Sequence, residues 1–153
     1  MTVRFSTGLR DGMLNATGLK EAFTNGTLYI YSGVQPASAD DAVQGTLLLQ
    51  ITESGGAFAH GSATNGINFD APSGGVVSKA AAETWQGNGV ADGLAGWARL
   101  CANPTDAGGS STALARIDLA IAQSGGDLNL SNTSITTSAP TSIGAFQITM
   151  LES

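Results

Sequence analysis

Between residues 6 and 25 apolar side chains recur every three to four positions. Leu9, Met13, Ala16, Leu19 and Phe23 form one stripe, the mark of an amphipathic helix. Ser6 or Thr7 stands where an N-cap belongs, and Asn25-Gly26 supplies a left-handed stop. Gly8, Gly12 and Gly18 weaken the segment, each by about 1 kcal/mol relative to Ala. A break near Thr17-Gly18 into two short helices follows from them. So thin a stripe needs a surface to pack on, either the chain's own domain or a neighbouring subunit. Glycines that keep a free arm flexible favour the neighbour, with the arm ordering on assembly.

After Gly26 the period changes to two. Residues 27–32 alternate, with Leu28 and Ile30 on one face and Tyr29 and Tyr31 on the other. The tyrosines then lie either under the helix or at a subunit contact. A loop follows with Pro36 and Asp40-Asp41, and then the apolar run Leu47-Leu48-Leu49, whose strand is covered on both faces. Short extended pieces recur at 67–69, 76–79 and 84–89, separated by Gly-rich turns. Residues 94–102 form a strand with Trp97, Arg99 and Cys101 on one parity. Residues 114–122 form another, placing Ile117, Leu119 and Ile121 inward and Arg116, Asp118 and Ala120 outward. Residues 124–127 turn into Leu128-Asn129-Leu130, and a last strand over 143–151 aligns Phe146, Ile148 and Met150. Seven to nine short strands with Gly, Asn, Asp and Ser turns predict a mainly β protein. It is a single β-sandwich or jelly-roll-like domain over residues 27–153 with a short N-terminal helical arm over residues 1–26.

Composition narrows the function more than the fold. Only 12% of the 153 residues are charged and 21 are glycine, with hydrophobic residues at 42%. That balance suits a β domain that sits against something else. The net charge is −6, and the six cations (Arg4, Arg10, Lys20, Lys79, Arg99 and Arg116) are scattered along the sequence. Nucleic acid and anionic membranes both need clustered Lys and Arg, so neither is an expected partner. The N-terminus lacks the apolar run of a signal peptide, and no stretch reaches the length of a membrane span.

Candidate chemistry is sparse. His60 lies in a Gly-rich loop with no G-x-S-x-G elbow to serve. Cys101 lies in an apolar stretch and reads as a buried thiol. One His and one Cys cannot build a Cys/His zinc site. Asp127 and Asn129 follow two glycines, but the D-x-D-x-D-G calcium loop is absent. No catalytic, cofactor-binding or metal-binding residue is assigned, and no cofactor is expected. The side chains read as subunit contacts are Leu9, Met13, Leu19, Phe23, Tyr29 and Tyr31.

Five stretches carry a family likeness. They are Val3-Arg4-Phe5-Ser6-Thr7-Gly8-Leu9-Arg10-Asp11-Gly12-Met13-Leu14, Leu28-Tyr29-Ile30-Tyr31-Ser32-Gly33 followed by Gln35-Pro36-Ala37-Ser38-Ala39-Asp40, Gly45-Thr46-Leu47-Leu48, Trp97-Ala98-Arg99-Leu100, and Gly126-Asp127-Leu128-Asn129-Leu130-Ser131. Together they resemble small structural virion proteins of tailed bacteriophages, over most of the chain. The resemblance implies a place in the particle and no catalytic residues. The expectation is a capsid decoration (cement) protein, made in the host cytoplasm and located in the virion. Its partners would be the major capsid protein, or neck or tail proteins, and further copies of itself as a homo-oligomer. A neck, collar or tail protein, a carbohydrate-binding adhesion module on the virion and a small hydrolase using His60 stand as alternatives.

Overall fold

A computed structural model describes residues 3–15 and 18–150. Ala16 of the arm's stripe and Leu151 of the last strand lie outside the described residues. The chain opens with β1 (Arg4–Phe5), α1 (Thr7–Asn15) and α2 (Leu19–Ala22). The strands β2 (Thr27–Ser32), β3 (Leu47–Glu53), β4 (Val76–Ser78), β5 (Trp85–Asn88) and β6 (Gly93–Cys101) follow. The last are β7 (Arg116–Ala122), β8 (Leu128–Asn129), β9 (Ser134–Ile135), β10 (Pro140–Ile143) and β11 (Gln147–Thr149). The protein is mainly β with a small helical N-terminal segment, a β-sandwich-like domain.

One large sheet runs in the order β1-β7-β6-β2-β3-β5-β10, with β8 beside β7 and β9 beside β6; β11 and β4 form a separate pair. Named pairs are antiparallel except β7–β8. That parallel pair follows a turn too short for an ordinary crossover. Asp127 makes it possible, because its Oδ2 accepts the Ala120 N–H at 2.9 Å and stands in for a strand carbonyl. Asn129 Oδ1 accepts the Gly126 N–H. These two side chains, read in sequence as a faint cation turn, are bonded into the turn itself.

One face of the central strands carries Leu28, Ile30, Leu49, Ile51, Ala98, Leu100, Ile117 and Leu119, all buried. Opposite them lie Ile67, Phe69, Trp85, Ile135, Ile143 and Phe146 of the same core cluster. Phe69, Trp85 and Phe146 meet with ring centroids 5.4–6.1 Å apart. The predicted strand over 143–151 is broken. β10 pairs with β5 and β11 with β4, because the chain changes sheets at Gly144-Ala145. Ile148 is consequently half-buried and Met150 exposed, against the expectation of one inward row with Phe146. Ile117→Ala and Phe146→Ala should each cost roughly 2–5 kcal/mol in urea unfolding. A loss within about 0.5 kcal/mol for both would contradict this packing.

The helical arm belongs to this core. The Ser6 hydroxyl donates to the Leu114 carbonyl and accepts the N–H groups of Leu9 and Arg116. It therefore caps α1 and ties that cap to the start of β7. The predicted break falls between α1 and α2, and Asn25 closes the segment at φ 55°. Leu9 and Phe23 are wholly buried within the single chain. They are therefore not the subunit contacts expected of them: the domain's own apolar face has taken the stripe. Met13 and Leu19 are only half-buried. They line an apolar groove of about 250 Å3 with Pro72, Val77, Ile148 and Met150.

Candidate functional site

The second face of the sheet carries the polar and aromatic side chains. Registered across β2, β6 and β7 are Tyr31, Trp97 and Ala120, then Tyr29, Arg99 and Asp118, then Thr27, Cys101 and Arg116. Arg99, Arg116, Asp118 and Ala120 are buried. The outward placement of Arg116, Asp118 and Ala120 is thus corrected. Residues 39–44 and 106–109 lie over this face and bond to it. The signal for this was in the sequence: Arg99 alternates in step with Trp97 and Cys101, which do not belong on a wet face.

Two arginine forks hold the cover down. Arg99 donates Nε and Nη2 to the two carboxylate oxygens of Asp118 at 2.7 and 2.8 Å, and Nη1 to the Asp41 carbonyl. Arg116 grips Asp106 in the same two-point way, at 2.6 Å for each bond, and reaches the carbonyls of Ala39 and Gly109. The planar guanidinium suits such paired contacts. Val43 N–H donates to the Gly108 carbonyl and Ser111 N–H to that of Asp40, so the two loops also hold each other. Asp40 in turn accepts the backbone N–H of Thr7, linking the loops to α1. Two glycines permit the close approach. A side chain on Gly45, at φ +84°, would strike the Ser32 carbonyl, and one on Gly96 would strike that of Gly33.

The tyrosines are under these loops and not under the helix. Tyr31 stacks on Trp97 with centroids 4.7 Å apart, and the Arg99 guanidinium lies 5.4 Å from the Trp97 ring centroid. Tyr29 Oη is 3.1 Å from His60 Nε2, while His60 Nδ1 is 3.0 Å from the Asn103 carbonyl. A carbonyl can only accept, so Nδ1 carries a proton in this bond and a neutral ring accepts the tyrosine O–H at Nε2. Tyr29, Tyr31, Leu47, Cys101, Asp106 and Ala107 line a cleft of about 200 Å3. Burial pushes the Tyr29 hydroxyl up to about 12, helped by the nearby Cys101 and Asp106. Burial raises Tyr31 further. It also raises the Cys101 thiol, with Asp106 adding to the effect; Sγ lies 3.5 Å from Asp106 Oδ2. Both phenols and the thiol are held neutral and hence unreactive as nucleophiles.

Burial alone would raise Asp106, but the Arg116 fork and the Gly108 N–H outweigh it and hold the carboxyl below its ordinary value. The carboxylate is stabilised by folding, so its contribution is complete above about pH 4 and is lost as pH falls through the lowered value. Burial moves Asp118 the other way despite Arg99. The wild type should therefore lose melting temperature more steeply below about pH 4 than Asp106→Asn, which lacks the titrating group. Parallel curves in differential scanning calorimetry would refute the role given to Asp106.

A cleft of about 800 Å3 is lined by Lys79, Asp127, Asn129, Phe146 and Gln147 among others. The Lys79 ammonium donates to the carbonyls of Ala80 and Glu83, and Asp127 serves Ala120. Its charged groups are thus bonded to the chain's own backbone. Among the described residues no group of three or more His, Cys, Asp or Glu side chains is placed to hold a metal ion. No described helix is long and apolar enough to cross a membrane. No protein-family model, curated protein or solved structure matches the chain.

Proposed function

We propose that this is a non-catalytic structural subunit of a tailed-phage virion, acting as a capsid decoration protein that stabilises the shell. The observation that supports this reading is the use made of the buried charges. Arg99, Arg116, Asp106 and Asp118 are paired with one another and with loop carbonyls, and so brace long loops against a sheet. The family likeness across most of the sequence supplies the particle. Rigid loops on a β scaffold can present a fixed surface to a shell without any reacting group. The test is the protein's copy number and position in purified particles, by quantitative mass spectrometry and electron cryo-microscopy. Many copies on the shell are expected; a few copies at the neck or tail would move the protein there, and absence from the particle would overturn the reading.

A further inference from the structure

Around the cleft beside Tyr31 the polar side chains are committed to the chain itself, with one exception. Tyr29 Oη is bonded to His60 and Gln50. Arg99 is spent on Asp118 and the Asp41 carbonyl, and Asp106 on Arg116 and the Gly108 N–H. The Cys101 thiol lies against Asp106. The exception is the Tyr31 hydroxyl. Tyr31 is only 8% exposed, yet no group among the described residues bonds its oxygen. Among the described residues no wholly buried side-chain N or O lacks a partner, so this oxygen opens on the cleft that the residue lines. A phenol gives one hydrogen bond and accepts others, and this one has both to offer.

The rim beside it is apolar and nearly free of charge. Leu47 stands opposite Tyr31 across β2 and β3. Leu94 precedes Ala95, which is registered with Ser32 at the end of β2, and Val34 lies two residues beyond Ser32. The Val90 N–H donates to the Leu48 carbonyl. Val34, Leu47, Val90 and Leu94 are four of the six large apolar side chains exposed among the described residues, and they gather at this one end of β2, β3 and β6. Single exposed apolar residues are ordinary, but a cluster marks an interaction surface. Residues 27–39, 42–52, 84–91 and 93–98 hold no Asp, Glu, Lys or Arg. The carboxylates next to these stretches, Asp41 and Asp92, accept from Ser38 and Thr137. Aromatic side chains with charge depleted around them are the composition of an interface core.

We propose that this cleft receives one uncharged apolar side chain of a partner protein, leucine or phenylalanine in size, whose backbone carbonyl accepts the Tyr31 O–H. Three limits select that occupant. The volume of about 200 Å3 falls below the roughly 300–1,000 Å3 of pockets that enclose a cofactor or drug-sized molecule, so there is room for one side chain. Arg99 and Asp106 are already neutralised by their own partners, so a charged side chain would be buried there without compensation. The apolar rim covers the residues on either side of the anchor and excludes water, as the contacts around an interface hot spot do. This goes beyond the virion reading and does not depend on it, because the purified chain alone decides it.

The full chain, labelled with nitrogen-15, is titrated with the N-acetyl methylamides of leucine, phenylalanine, lysine and glutamate, and separately with p-cresol, following backbone amide signals by NMR. The leucine or phenylalanine amide should shift the signals of residues 43, 47, 107 and 108 saturably, and the lysine and glutamate amides should not. Tyr31→Phe keeps the ring on Trp97 and removes only the hydroxyl; it should weaken binding about tenfold, the worth of one hydrogen bond. Ala107→Trp, at an exposed position of the cleft wall, should abolish binding with the fold intact, and so decides the matter even if Tyr31→Phe is unstable. No saturable shift with either apolar amide, equal binding of the charged amides, or wild-type affinity in Ala107→Trp would overturn the proposal. Binding of p-cresol while both apolar amides fail would overturn it as well, by making the cleft a small-molecule site.

Discussion

A chain lacking residues 1–26 is expected to lose its cooperative unfolding transition. The arm supplies Leu9 and Phe23, both fully buried in the core cluster. Truncating a buried Leu costs about 2–5 kcal/mol and a buried Phe about 3–5. The whole stability of a domain is about 5–15 kcal/mol, so losing both side chains consumes much of it. The deletion also strips β1 from β7 and removes the Ser6 hydroxyl that joins Leu114, Arg116 and Leu9. Urea titration followed by circular dichroism is the check. A truncated chain with a cooperative transition at the wild-type midpoint would show the arm to be dispensable, as an arm made for a neighbour would be. The single substitutions Leu9→Ala and Phe23→Ala should already lower the midpoint.

Breaking the Arg99–Asp118 pair should be the most damaging polar change. Both side chains are buried and joined at two points. Asp118→Ala leaves the Arg99 guanidinium buried without its carboxylate and should cost about 3–5 kcal/mol. Arg99→Ala should cost a similar amount and also release the Asp41 carbonyl of the covering loop. The double variant Arg99→Met/Asp118→Leu removes both charges together and should be markedly less damaging than the sum of the two alanine variants. Strict additivity would mean that the two groups do not act as a pair. A loss within about 0.5 kcal/mol for Asp118→Ala would mean that the site is wet in solution.

Period-two patterning was enough to place most of the central strands and their apolar face. Leu28 with Ile30, and Ile117 with Leu119 and Ile121, face the core as alternation requires. The capping residue, the interrupted helix and the Asn25 stop were also local, because each depends on backbone geometry within a few residues. Patterning failed where one rule had two physical outcomes. Alternation separates two faces of a strand, but it does not say whether the second face meets water or a covering loop. Alternation turns Arg116 and Asp118 outward, and the partners that keep them inside stand 10 and 19 residues away, in Asp106 and Arg99.

The sequence by itself determined the β class, the helical opening and one apolar face, since these follow from residue type and short-range periodicity. Only the tertiary structure decided where the arm's stripe would go. An amphipathic face specifies that something apolar must cover it, and the partner is chosen by which surface the fold leaves open. The tertiary structure also decided that four charges would be internal, because burying an ion requires a counter-ion fixed at bonding distance, and that distance exists only after β6, β7 and the loop over 106–109 have come together.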